Sequence, residues 1–97
     1  MKRKTKNYHA FLIESLKDSE EAADYLNEAL EENDPKYFLK ALRNVAEACG
    51  GMTKLSQVTK LDRVNLYRML SDQGNPELYS VFTLLHALGI KLTAKAA

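Results

Sequence analysis

The stretch that most constrains this chain is MTKLSQVTKLDRVNLYRMLS, residues 52 to 71. Leu55, Val58, Leu61, Leu66 and Met69 are apolar positions within it. Two short helices joined by a tight turn bury such side chains against each other and leave one face of the second helix free. Asp62 follows the turn and is placed to cap the second helix. There its carboxylate accepts from the first unpaired amides and faces the positive end of the helix dipole. At about 100° per residue, Leu66, Met69, Leu70 and Gln73 point one way, while Val64, Tyr67, Arg68 and Ser71 point the other. The outward face carries no acid, and Arg63 adds a second guanidinium in the first turn. A helix with two arginines and hydrogen-bonding groups near its start suits the donor and acceptor pattern of a DNA major groove.

Around that motif the chain is short. Ninety-seven residues make one folded unit with room for an ordered extension. The single cysteine, Cys49, rules out an intramolecular disulfide and any multi-cysteine metal site. It falls on the apolar side of a helix just before a glycine pair, and reads as a small buried hydrophobe. No apolar run approaches the length of a membrane span, and the N-terminus lacks the apolar stretch of a signal peptide. A cytoplasmic protein with no membrane partner is expected.

Net charge is +1, but it is divided by region. Met1 to Lys6 holds Lys2, Arg3, Lys4 and Lys6. From Asn7 to Asp34 nine acids (Glu14, Asp18, Glu20, Glu21, Asp24, Glu28, Glu31, Glu32, Asp34) stand against Lys17 alone, and from Pro35 onward bases lead nine to four. An acidic block beside a mildly basic one suggests two surfaces with different partners, although acidic helices are also simply soluble helices. The division expected is a basic tail and acidic helical extension over 1–33, then a DNA-binding unit over 34–97.

In chain order, residues 1 to 7 read as a basic, mobile tail that either touches phosphate or aids solubility. The cluster Tyr8, Phe11, Leu12, Ile13 and Leu16 fits a helix better than an extended segment. Asp18 or Ser19 opens the next helix, and Glu21 completes a capping-box pattern with Asp18. Its buried stripe is Ala22, Tyr25, Leu26, Ala29 and Leu30, and it stops near Asn33. Asp34-Pro35 starts another helix, with aspartate as cap and proline where its missing N–H costs nothing. Phe38, Ala41, Leu42, Val45 and Cys49 form its apolar stripe, and Gly50-Gly51 ends it. After the motif comes a loop at Gly74-Asn75-Pro76. Ser80 is placed to cap a last helix with Val81, Leu84, Leu85 and Leu88 buried, and Gly89 closes it.

These short helices around a central helix-turn-helix resemble the lambda-repressor-like (Xre-type) DNA-binding domains. More specifically, ALRNVAEACGGMTKLSQVTKLDRVNLYRMLSDQGNP is similar to the addiction-module antidote proteins, small antitoxins of HigA-like type. The shared marks are YLNEAL at Tyr25 to Leu30, Asp34 with Ala41-Leu42, the glycine before Met52, LYR at Leu66 to Arg68, GNP at Gly74 to Pro76, and ALGI at 87 to 90. The likeness runs from about residue 12 onward. It implies an all-α lambda-repressor-like domain of about five helices with an N-terminal helical extension. Two positions depart from the general helix-turn-helix pattern. Ser56 stands where alanine is usual, and its hydroxyl is small enough to bond back to a carbonyl one turn earlier. Lys60 stands where glycine is usual in the turn, and a lysine with positive φ costs roughly 1 kcal/mol against glycine.

What the resemblance implies is an antitoxin that autoregulates a two-gene operon and neutralises a small basic toxin of the RelE/ParE/HigB type. Arg63 and Arg68 are the candidates for bidentate contacts to guanine, or else for phosphate contacts. Val64 either meets a thymine methyl or is simply a tolerated exposed apolar residue. Asn65 and Tyr67 flank the reading face, Thr53 and Lys54 open the first motif helix near the DNA backbone, and Asn75 is a phosphate contact or only a turn residue. The acidic segment 14–34 with Tyr8, Phe11, Leu12, Glu21 and Tyr25 is the candidate cover for a basic toxin, the competing reading being that the aromatics pack into this protein's own core. A module this small buries little surface, so a homodimer on a palindromic double-stranded operator is expected. An enzyme is not. His9 and His86 are far apart and in apolar company, no nucleophile has a partner, and no phosphate loop is present. No metal or cofactor is expected. A stand-alone prophage-type repressor and an adaptor that no longer binds DNA are the alternatives.

Overall fold

The computed structural model describes residues 2–97, with side chains from Tyr8 onward. Among the described residues it is all helical: α1 (Lys2–Ser15), α2 (Ser19–Glu31), α3 (Pro35–Ala48), α4 (Gly51–Thr59), α5 (Arg63–Met69) and α6 (Leu78–Ala87). The all-α class expected from the sequence is borne out. The backbone of Lys2 to Asn7, expected as a mobile tail, lies within α1. Lysine and arginine are good helix formers, and nothing before Asp18 interrupts the run. The phosphate role suggested for those side chains lies outside the described residues.

Local chemistry sets most helix boundaries. Asp18 Oδ1 accepts from Glu20 N at 2.8 Å and Glu21 N at 3.4 Å, so Asp18, not Ser19, caps α2. The reciprocal half of the expected capping box is not made, because the Asp18 N–H already donates to the Ser15 carbonyl at 3.2 Å. Asn33 follows α2 at φ 55, a left-handed position that asparagine tolerates. Asp34 then caps α3, accepting from Lys36 N at 3.0 Å, with Pro35 opening the helix. At the far end, Ile90 N donates to Leu85 O (2.9 Å) and Gly89 N to His86 O (3.1 Å) around a left-handed Gly89. This pair of bonds is a Schellman motif, and it draws Ile90 onto the core.

One continuous core joins the helices. Leu16 precedes α2; Ala22 and Leu26 come from α2; Leu39, Ala41, Leu42, Val45 and Ala46 from α3; Met52 and Leu55 from α4; Leu66 and Met69 from α5; and Leu70, Val81, Leu84 and Leu85 complete it. α2 and α1 pack on α3, and α4 is wedged among α3, α5 and α6. Four expectations shift in detail. Leu30 is exposed in the last turn of α2, and Val58 is exposed because Met52 and Leu55 fill the inward side of α4. Phe38 and Cys49 are only half-buried, with Leu39 and Ala46 deeper than either. Finally, α6 starts at Leu78 with Glu77 in the cap position, so Ser80 sits in its first turn instead of capping it.

Candidate nucleic-acid interface

The turn between α4 and α5 is held by side chains as much as by backbone. Lys60 takes φ 65 and ψ 12, the left-handed conformation anticipated for it, and its N–H donates to Ser56 O at 2.9 Å. Thr59 Oγ1 donates to Leu55 O (2.7 Å) and accepts from Leu61 N (3.1 Å). Ser56 Oγ donates forward to Leu61 O at 2.7 Å, not back along α4 as expected. The Leu61 carbonyl lies outside both helices and needs a donor, which the serine supplies while keeping the small size required where the helices cross. Together Ser56 and Thr59 satisfy both polar backbone groups of Leu61, and this offsets the strain at Lys60.

Asp62 then caps α5, its Oδ2 accepting from Asn65 N at 3.2 Å. With Leu66 fully buried and Met69 nearly so, the opposite side of α5 faces solvent. Val64, Tyr67 and Arg68 are exposed there, as the helical spacing implied. Arg63, also exposed, donates from Nη1 to Thr53 Oγ1 at 3.1 Å. This bond ties the start of α5 to the start of α4 and leaves the other guanidinium N–H groups to contact a partner. Asn65 is half-buried, and Asn75 is exposed in the loop after α5. Lys54 stands apart from this group. Its stem lies over Gly50, and it lines a shallow groove with Cys49, Val58, Ala87 and Leu88. Burial pushes the Cys49 thiol up, while the Lys54 ammonium pulls it partly back.

The loop after α5 explains a glycine that the sequence alone left as one letter of a motif. A methyl group at Gly74 would overlap the main-chain carbonyl of Met69 and crowd that of Arg68. Only glycine lets the loop back directly onto the end of α5. Ser71 Oγ donates to Arg68 O at 2.8 Å, Gly74 N donates to Ser71 O at 2.9 Å, and Arg43 on α3 pairs with Asp72 at 3.4 Å. Ser56, Thr59 and Gly74 are thus the supporting residues of this face. None carries a partner-facing signal in the sequence.

The second group of candidates is dispersed. Tyr8 and Phe11 are exposed one turn apart on α1, whereas Leu12 turns inward and packs on the core. His9 and Glu47 approach to 3.4 Å and link α1 to α3. Tyr25 is half-buried, its hydroxyl accepting from Asn44 Nδ2 at 2.8 Å, so it fastens α2 to α3. Glu21 is exposed in the first turn of α2, along with Glu20.

Among the described residues no helix is long and apolar enough to cross a membrane. The family described as probable addiction module antidote protein matches residues 6–96. An uncharacterized protein of Haemophilus influenzae is 35% identical over 80 residues, spanning 82% of this chain and 81% of that relative. No solved structure matches. The match spans α4, the turn, α5 and the Gly74 loop, together with the acidic α2, and the chain belongs to the probable addiction module antidote protein family.

Proposed function

We propose that this chain is the antitoxin of a type II toxin–antitoxin module, a cytoplasmic Xre-type regulator that binds operator DNA through α4 and α5 and represses its own operon. Residues 34–97 form the lambda-repressor-like DNA-binding unit of this scheme. Residues 1–33 serve a small basic toxin of the RelE/ParE/HigB type. The observation that carries the DNA half is the solvent face of α5: Val64, Tyr67 and Arg68 exposed, Arg63 pinned beside Thr53, and no acid among them. Arginine forks read guanine edges, and the surrounding polar groups set register on phosphate. The toxin half rests on family membership and on the acids of α2, which complement a basic protein.

The test is a reporter fused to the chain's own promoter, in cells that carry the neighbouring small basic protein under separate control. The parent chain should repress the reporter and restore growth. Arg63→Ala with Arg68→Ala should lose repression and keep rescue; Phe11→Glu should do the reverse. Full repression by the double-arginine variant would contradict the assignment of the reading face. Repression without any rescue by the parent would leave a stand-alone repressor, and rescue without operator binding would leave an adaptor.

A further inference from the structure

The threonines of this chain do not all use their hydroxyls alike. Thr59 and Thr83 donate back to the carbonyl one turn earlier, Leu55 O at 2.7 Å and Tyr79 O at 3.0 Å, the ordinary habit of a threonine inside a helix. Thr53, in the first turn of α4, instead accepts across the motif from Arg63 Nη1 at 3.1 Å. The turn that Ser56 and Thr59 hold brings these two side chains within reach. The arginines differ in the same way. Arg43 gives its guanidinium to the Asp72 carboxylate, whereas Arg63 rests on an uncharged oxygen. Asp62, its neighbour in sequence, is engaged elsewhere, with Oδ2 accepting from Asn65 N.

Resting on the DNA-binding reading of α5, we propose that Thr53 is a positioning residue for Arg63, and that the two act as one unit to read a guanine. A long arginine loses much rotamer freedom when it docks on a base, and the loss falls if one N–H is already held. Threonine suits that task, because its short β-branched side chain is restricted at χ1 and keeps its oxygen in place. A carboxylate at position 53 would hold the guanidinium harder but spend its charge. A hydroxyl orients it and leaves it cationic. The atom held also matters. Nη1 lies on the side of the arginine stem, and the Nε–Nη2 edge, with its two parallel N–H groups, faces the other way. That edge matches the adjacent O6 and N7 acceptors that guanine alone shows in the major groove. A threonine that aims Arg63 acts on sequence preference, whereas one that touches phosphate acts on affinity for every sequence.

The test is competition binding of the full chain to the DNA upstream of its own gene, and to versions of that fragment with each base pair changed in turn. Arg63→Ala locates the guanine, as the position where preference falls. Thr53→Val keeps the shape and removes the hydroxyl. It should lower the preference for guanine at that same position by at least about fivefold, with affinity for scrambled DNA at parent level. Thr53→Ser should keep the parent preference, and Thr53→Val should change nothing further in the Arg63→Ala background. Thr53 is exposed, so folding should hold; if Thr53→Val loses helical circular dichroism, Thr53→Ala replaces it. An equal loss across all fragments, as from a phosphate contact, overturns the proposal. So does an additive loss in the double variant, a Thr53→Ser variant that behaves as Thr53→Val, or an Arg63→Ala variant that keeps every preference. A parent with no preference among the fragments sinks the DNA-binding reading and this pair with it. A parent preference that Thr53→Val leaves intact sinks the pair alone.

Discussion

Two short helices of this protein hold large apolar side chains out to solvent, in opposite electrostatic settings. On α5, Val64 and Tyr67 stand among Arg63 and Arg68; on α6, Leu78, Tyr79 and Phe82 stand in a run with no charge at all. Exposure of that kind marks a surface meant to be covered, and the neighbouring charge says by what. Guanidinium groups beside a tyrosine and a valine suit base edges and phosphate, whereas bare aromatics suit another apolar face. The two helices also differ in how they are held. α5 is fixed at both ends by side-chain and loop bonds, through Asp62 and Ser71, while α6 has no side-chain cap at its start and relies on packing and the Gly89 motif. A helix that must present groups to a rigid duplex gains from fixed ends.

Substitutions separate the two settings, beginning with the largest effect. Leu66→Ala should cost about 2–5 kcal/mol of unfolding free energy, since Leu66 is fully buried beneath α5 and its loss leaves a cavity in the common core. Urea denaturation checks this, and both exposed faces should be lost in one transition. Gly74→Ala should cost about 1–3 kcal/mol, because the new methyl overlaps main-chain carbonyls at the end of α5. A stability equal to the parent's would mean that the loop does not back onto α5. Asp62→Ala should cost about 1 kcal/mol by thermal or chemical unfolding and, on the proposed function, lower operator affinity through α5.

The smallest effect has the opposite sign. Lys60→Gly should raise stability by about 0.5–1 kcal/mol, since glycine adopts φ 65 without the strain a lysine carries. The same change removes a cation beside the expected path of the phosphates, so affinity should fall slightly as stability rises. A loss of both would show that the Lys60 side chain contributes to folding by a contact beyond its backbone.

Much of this architecture is legible in one sequence because it is local. Aspartate before a helical stripe, proline at a first helical position and glycine after a last one each act within a few residues, and Asp18, Asp34, Asp62 and Gly89 cap or close as expected. What was not legible depends on which neighbour arrives. Ser56 bonds forward only because Leu61 O falls beside it after the turn. Ser80 is a good cap by type, but packing of the α6 core residues starts the helix three residues earlier, behind Glu77. Val58 shares the spacing of its buried neighbours yet lies at the rim of α4. The candidate DNA residues split for the same reason. Arg63 and Thr53 meet across the turn, and Lys54, adjacent to Thr53 in sequence, points toward Cys49 and α6.

The central claim is that the solvent face of α5 reads DNA sequence, and fluorescence anisotropy with the DNA upstream of the chain's own gene tests it most directly. The parent should prefer that fragment over a scrambled one by at least about a thousandfold at physiological salt. Arg68→Ala should lose about 1–3 kcal/mol of that preference, with the folding transition unchanged. Equal affinity for both fragments, or full discrimination by Arg68→Ala, would contradict it.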